Sequence, residues 1–116
     1  MSTDDDNRLT TKLWLDAHLR QFTARGQAFT IAHRGDDQRG SVILKIFRGR
    51  SEGCTILSRA YGPEGEIGWL PALDGRAVPE PEADDYLARL IARDPDVWVI
   101  EIESRDGSYP FSGKVL

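Results

Sequence analysis

Hydrophobic positions along the chain form two helical stripes and several short alternating runs. In the first stripe Leu15, Leu19 and Phe22 recur at i, i+4 and i+7, the spacing of one buried helix face. We therefore predict a helix over about residues 10–25, begun by a threonine cap. Gly26 follows and suits the left-handed conformation that ends many helices.

A second helical stripe lies in the acidic part of the chain and is formed by Tyr86, Leu87, Leu90 and Ile91. It predicts a helix over residues 84–93. The acidic residues at its start favour the positive end of the helix dipole. The helix should end at Asp94, because a residue that precedes proline is driven away from helical angles.

Alternation with a period of two predicts strands over residues 27–34, 41–47, 54–60, 67–70 and 98–102, with a short edge strand at 108–111. Loops of about three to six residues join the first four strands, which favours an antiparallel meander. In the fifth strand the face with Val99 and Glu101 is half apolar, and we expect it to be solvated or only partly covered. The sequence thus predicts an α+β fold: an antiparallel sheet of about five to six strands, with an N-terminal helix and a second helix packed against one face.

Length and composition favour one domain at residues 8–116, preceded by a disordered tail at residues 1–7. No apolar run approaches the ~20 residues that span a membrane. The polar, acidic start lacks the basic and apolar segments of a secretory signal. Because the chain contains one cysteine, it cannot form an internal disulfide. We therefore expect a cytoplasmic protein that does not contact membranes.

Charge is unevenly distributed along the chain. Residues 1–60 contain 10 Lys and Arg against 7 Asp and Glu, whereas residues 61–116 contain 5 against 12. Such asymmetry is typical of head-to-tail docking of two copies, of an acidic surface for a partner, or simply of two solvated regions. The formal net charge of −4 disfavours nucleic-acid binding.

Several short motifs are spread over most of the chain. They are Leu13-Trp14, Arg34-Gly35-Asp36, Arg39-Gly40, Lys45, Trp69 and the run from Asp94 to Glu101. From about Arg8 to Asp106 the chain resembles a family of small proteobacterial proteins, the domain of unknown function family 1491. The run Asp-Pro-Asp-Val-Trp is the most specific part of this resemblance. It implies a compact single domain and no assigned activity, cofactor or catalytic residue.

Polar side chains around the predicted turn at His33, Arg34, Asp36 and Asp37 form one candidate ligand site. Its carboxylates could hold a small ion, or Asp36 could instead bond nearby backbone amides in an Asx turn. Glu101 and Glu103 lie two apart on one face of the fifth strand, and paired carboxylates can perform acid–base chemistry. Glu101 therefore joins the turn residues as a candidate ligand. The structural alternative for Glu101 is a cross-strand ion pair with Lys45 or an arginine.

Other candidate chemistry is sparse. The sequence has no phosphate-binding loop or dinucleotide fingerprint, and its one Cys and two His cannot fill a structural zinc site. We therefore expect no metal and no cofactor. Among the tryptophans we expect Trp98 to be buried and Trp69 to be the best candidate for a contact surface. Basic residues on strands and turns, Arg34, Arg39, Lys45, Arg48, Arg50 and Arg59, would be the contacts of a nucleic-acid binder.

Three functions remain open on the sequence alone. The first is a non-enzymatic domain that acts by self-association, as a homodimer, or by binding another protein. The second is a small ligand-binding domain or enzyme that uses the turn site with Glu101. The third is nucleic-acid binding through the basic strands. Whether the protein is an enzyme is not decided by any motif.

Overall fold

The structure of the protein, a computed structural model, describes residues 9–109, 111 and 113–115. These residues form helices α1 (Thr11–Ala24) and α2 (Glu80–Arg93), strands β1 (Phe29–His33), β2 (Val42–Phe47), β3 (Cys54–Tyr61), β4 (Ile67–Pro71), β5 (Trp98–Glu103) and β6 (Lys114–Val115), and a short 3-10 helix at Leu73–Gly75. The α+β class and the strand count are as predicted. Within this part of the chain no helix is long and apolar enough to cross a membrane.

The strands form one sheet in the order β1-β5-β2-β3-β4-β6. Strands β2, β3 and β4 are antiparallel neighbours, as the meander predicts. The expected pairing of β1 with β2 is wrong, because β5 lies between them, antiparallel to β1 and parallel to β2. The physical reason is that Val97 and Val99 are buried on one side of this segment, and Trp98 and Ile100 on the other, so it takes a central position where both faces of the sheet are covered.

The two helices cover opposite faces of the sheet, which corrects the prediction that both pack on one face. Helix α1 places Trp14, Leu15, Leu19 and Phe22 against the face that carries Trp98 and Ile100. Helix α2 places Ala83 and Leu87 against the other face, which carries Val97 and Val99. Val99 is buried, so the second face is covered by α2 at this position and is not left to solvent as expected.

Local signals set the ends of both helices. Thr10 caps α1 by accepting a hydrogen bond from the Leu13 amide at 3.3 Å, and Gly26 follows the helix with a φ of 76°. Helix α2 begins at Glu80, one turn earlier than predicted, because Pro79 precedes it and acidic side chains occupy its first turn. It ends before Asp94, as the following proline requires.

The last predicted strand is misplaced. Ser108, Tyr109 and Phe111 are not in a strand, and Pro110 lies outside the described residues. Instead β6 pairs in parallel with β4 at the edge of the sheet. Phe111 is buried and stacks on Trp14, with ring centroids 5.4 Å apart. This segment therefore contributes a side chain to the core and does not pair as a strand at the predicted position. The predicted tail at residues 1–7 also lies outside the described residues.

Candidate functional site

Asp36 organises the turn that follows β1. Its Oδ2 accepts hydrogen bonds from the backbone amides of Gln38 at 3.0 Å and Arg39 at 2.8 Å, which is the geometry of an Asx turn. Its carbonyl oxygen accepts a 2.8 Å hydrogen bond from the indole Nε1 of Trp98. Both polar groups of Asp36 therefore hold the loop in place, as the structural alternative expected.

The loop lies directly against the segment that precedes β5. The amide of Asp36 donates to the carbonyl of Asp96 at 2.9 Å. Gly35 and Gly40 both face that carbonyl so closely that a Cβ on either residue would overlap backbone atoms. The Arg-Gly-Asp turn and the Asp-Pro-Asp-Val-Trp run thus form one packing unit, which is why neither glycine tolerates a side chain.

The two basic residues of the turn are also engaged. His33 Nδ1 lies 2.8 Å from the carbonyl oxygen of Val97, and because a carbonyl only accepts, Nδ1 carries the proton. The guanidinium of Arg34 lies 5.3 Å from the ring centroid of Trp98 and 3.4 Å from Oδ1 of Asp37. This ion pair is solvent-exposed and therefore weak.

Glu101 is not part of this turn. It lies opposite Thr30 of β1 and opposite Lys45 of β2, and its Oε1 is 3.3 Å from Nζ of Lys45. This is the cross-strand ion pair that the sequence suggested as the structural use of Glu101. The structure therefore brings His33, Arg34, Asp36 and Asp37 together and leaves Glu101 on the face covered by α2.

Lys45 is the centre of a larger charge cluster. Its Nζ donates to Oε2 of Glu80 and to Oδ1 of Asp84, both at 2.8 Å, in addition to the Glu101 contact. The lysine side chain is 5% exposed, against 42%, 56% and 31% for the three carboxylates. Burial alone would lower the pKa of Lys45, but the hydrogen bonds to Asp84 and Glu80 and the charge of Glu101 outweigh it, so the pKa is raised.

Glu80 and Asp84 were missed by the sequence analysis, although a signal was present. They lie four residues apart and border the stripe of α2 that carries Ala83 and Leu87. Carboxylates at the border of a buried helix stripe are stabilised by a cation on the element that the helix packs against, and β2 supplies Lys45. The cluster stabilises the packing of α2 on the sheet.

Cys54 lies on the same face of the sheet and is completely buried. Burial raises the pKa of its thiol to about 11, against the opposing charge of Lys45. A thiol with this pKa is protonated at neutral pH and is a poor nucleophile. Among the described residues no group of three or more His, Cys, Asp or Glu side chains could hold a metal ion.

All three tryptophans are core residues. Trp14, Trp69 and Trp98 are 1%, 0% and 3% exposed. The expectation that Trp98 is buried is confirmed, whereas Trp69 is not available as a contact surface. The reason is that β4 has strands on both sides and the ring of Phe111 lies 5.2 Å from that of Trp69. Any interface must therefore be built from other residues.

The basic residues do not share one surface. Lys45 points towards α2 and is neutralised there, whereas Arg59 lies against Trp14 on the α1 side, 4.6 Å from the ring centroid. Arg34 lies on Trp98, beside the turn. A protein surface that binds the phosphates of a single-stranded nucleic acid needs its cations on one face. The arrangement of these basic residues therefore does not favour nucleic-acid binding.

A sheet held between two helices, with no catalytic arrangement among the described side chains, defines a small α+β domain. Residues 9–112 match the model of a family described as "Protein of unknown function (DUF1491)". The chain belongs to this family. Comparison with curated proteins finds no match.

Solved structures agree with this assignment. A crystal structure of a DUF1491 family protein from Caulobacter crescentus is 32% identical, with a TM-score of 0.76, and the match covers 94% of this chain and 98% of that one. An NMR structure of a DUF1491 family protein from the same organism is 34% identical, with a TM-score of 0.75 and 94% and 97% coverage. A solution structure of a protein from A. tumefaciens is 23% identical, with a TM-score of 0.63 over 84% and 86% of the chains, and shows the fold alone.

Proposed function

We propose that the protein is a non-enzymatic binding domain that self-associates through the outer edge of β1. The observation that carries this proposal is the character of that edge. Strand β1 is the first in the sheet order, and within the described part of the chain no strand pairs with its outer side. Thr30, Ile31 and Ala32 are exposed, and β1 contains no Lys, Arg, Asp or Glu.

Free edge strands normally carry features that prevent pairing with another chain, such as a short length, a lysine, a proline or a β-bulge, and β1 has an irregularity of the last kind only at its His33 end. The opposite edge, β6, is only two residues long. Strand β1 has five residues and none of those side chains. Its register against β5 is regular from Phe29 to Ile31 and shifts only before His33. The regular part offers unpaired backbone groups to an antiparallel strand.

A second copy of the chain is the partner that this edge fits best. A strand without Lys, Arg, Asp or Glu pairs with its own twofold copy without placing such charges opposite each other. Beside the edge a groove runs between α1 and β1, lined by Leu19, Phe29 and Ile31 together with Asp16 and Arg20. The acid and the base lie one helical turn apart, so antiparallel copies would set Asp16 of one chain towards Arg20 of the other.

The experiment is light scattering behind a sizing column, over a range of protein and salt concentrations. We expect the wild-type protein to be a dimer and Ile31→Lys to be a monomer, because an added charge at the centre of the edge opposes its own copy. Leu70→Lys is the matched control: Leu70 is 48% exposed on β4, against 43% for Ile31, and should leave the dimer intact. Circular dichroism melting verifies that both variants fold.

Two results would overturn the proposal. One is a wild-type protein that remains monomeric at every concentration tested. The other is a dimer that persists in Ile31→Lys. The alternative ligand site at His33, Arg34, Asp36 and Asp37 has less support, since the carboxylate of Asp36 and the imidazole of His33 are already bonded to backbone groups.

A further inference from the structure

A second concave region lies on the side of the sheet covered by α1, where the 33–37 turn continues into residues 38–41. It is a cavity of about 290 Å³ between the start of α1, the loop before β2 and the end of β3. The polar groups that line it include Arg39, Ser41, Arg59 and Tyr61. No Asp or Glu is among the described residues that line it, so Arg39 and Arg59 bring two basic residues to a lining that contains no acidic one.

Arg59 is the more constrained of the two arginines. Its guanidinium carbon lies 4.6 Å from the ring centroid of Trp14 and 6.0 Å from that of Tyr61. The side chain is half-buried, and its burial lowers the pKa of the guanidinium, opposed by Tyr61. Among the residues that the structure describes, none accepts a hydrogen bond from this guanidinium and no carboxylate forms an ion pair with it. A partly desolvated charge that contacts aromatic rings and no carboxylate favours an anionic ligand.

The surrounding backbone is held independently of any ligand. The amides of Thr11 and Lys12, at the start of α1, donate to the carbonyls of Gln38 at 3.2 Å and Asp37 at 2.9 Å. The hydroxyl of Thr11 donates to the carbonyl of Gly40 at 2.8 Å. These donors are therefore satisfied within the chain. An anion in the cavity would be bound by the arginines and the hydroxyl groups, and not by the end of the helix.

We propose that this cavity binds a small phosphate-bearing anion between Arg59 and Arg39. The two guanidinium groups come from different elements, β3 and the loop before β2. A planar carboxylate is satisfied by one bidentate guanidinium, whereas a tetrahedral phosphate accepts hydrogen bonds from several directions at once. The hydroxyls of Ser41 and Tyr61 supply further donors. Stacking on Trp14 orients Arg59 before the ligand arrives, which reduces the entropy lost on binding.

The test uses the full chain and inorganic phosphate as the probe, followed by amide and indole NMR shifts. Phosphate should shift the signals of Gly40, Ser41 and the Trp14 indole saturably, and chloride at equal ionic strength should not. Arg59→Gln should weaken binding about tenfold or more, the loss expected for a charge-assisted contact, and Arg39→Gln should also weaken it. Arg89→Gln, an exposed arginine on α2, should bind as the wild type does.

Thermal melting gives a second readout that does not depend on the NMR signals. Phosphate should raise the melting temperature of the wild type more than that of Arg59→Gln at every concentration, since binding to the native state stabilises it. The proposal is overturned if phosphate causes no saturable shifts around the cavity, or if Arg59→Gln and Arg89→Gln bind it equally. Ile31→Lys should still bind phosphate, so the failure of this inference and the failure of the dimer proposal are separable.

Discussion

Replacing Lys45 by methionine tests how the charge cluster holds α2 on the sheet. The substitution keeps an unbranched side chain of similar size and removes the ammonium. Three carboxylates, Glu80, Asp84 and Glu101, then lose a cation that lies 2.8, 2.8 and 3.3 Å from them. They would repel one another beside the apolar face of the helix.

The expected loss of stability follows from burial. Removing one partner of a fully buried ion pair costs about 3–5 kcal/mol. Here the carboxylates are between 31% and 56% exposed and can regain water, so we expect Lys45→Met to lower the free energy of unfolding by about 2–3 kcal/mol. Lys12→Met is the matched control. Lys12 pairs with Asp16 at 2.7 Å, but both side chains are about two-fifths exposed, so its loss should be below about 0.5 kcal/mol.

The assay is denaturant unfolding followed by tryptophan fluorescence, which reports on three buried indoles. The difference between wild type and Lys45→Met should also depend on pH. Because the pKa of folded Lys45 lies above its ordinary value of 10.5, the lysine contributes fully below that pH and less as the pH rises beyond it. Equal midpoints for Lys45→Met and Lys12→Met at neutral pH would refute the reasoning, and so would a difference that grows above pH 10.5.

Two further predictions concern the loop contact and the buried thiol. Gly35→Ala should lower the free energy of unfolding by about 2–4 kcal/mol, since its Cβ would overlap the backbone of Asp96 and Val97. Gly26→Ala is the control: Gly26 has a positive φ but a Cβ there would meet open space, so the substitution should cost only about 1 kcal/mol. Equal losses in thermal unfolding would argue against the close contact at Gly35. Burial raises the pKa of the Cys54 thiol to about 11, so the thiol should react with a disulfide reagent at pH 8 only when denaturant opens the fold. The reaction is followed by absorbance. Rapid labelling of the native protein would contradict this prediction, because it would show that the thiol is accessible.

The charge asymmetry of the sequence is partly resolved inside the chain. Lys45, from the basic half, is surrounded by three carboxylates from the acidic half. Strand β5, which belongs to the acidic half, lies between β1 and β2 of the basic half. The two halves are therefore interleaved within one sheet, and head-to-tail docking of copies is not needed to bring their charges together.

Local pattern determined the elements of this protein and several of their contacts. The spacing of Leu15, Leu19 and Phe22 predicted α1 and its buried face, and alternation placed β1 to β5 to within a few residues. The Asx turn at Asp36 was also predictable, since it depends on a short motif. These features are decided by atoms close together in the chain.

Only the tertiary structure decided which elements are neighbours. Periodicity predicts strand β5, with one apolar and one half-apolar face, but not that it separates β1 from β2, because strand order depends on contacts between residues far apart in sequence. The same contacts put α1 and α2 on opposite faces, buried Trp69 under Phe111, and brought Glu80 and Asp84 to Lys45. They also placed Arg59 between two aromatic rings. Both faces of a sheet with apolar residues on each side must be covered, and that requirement acts on the whole chain at once.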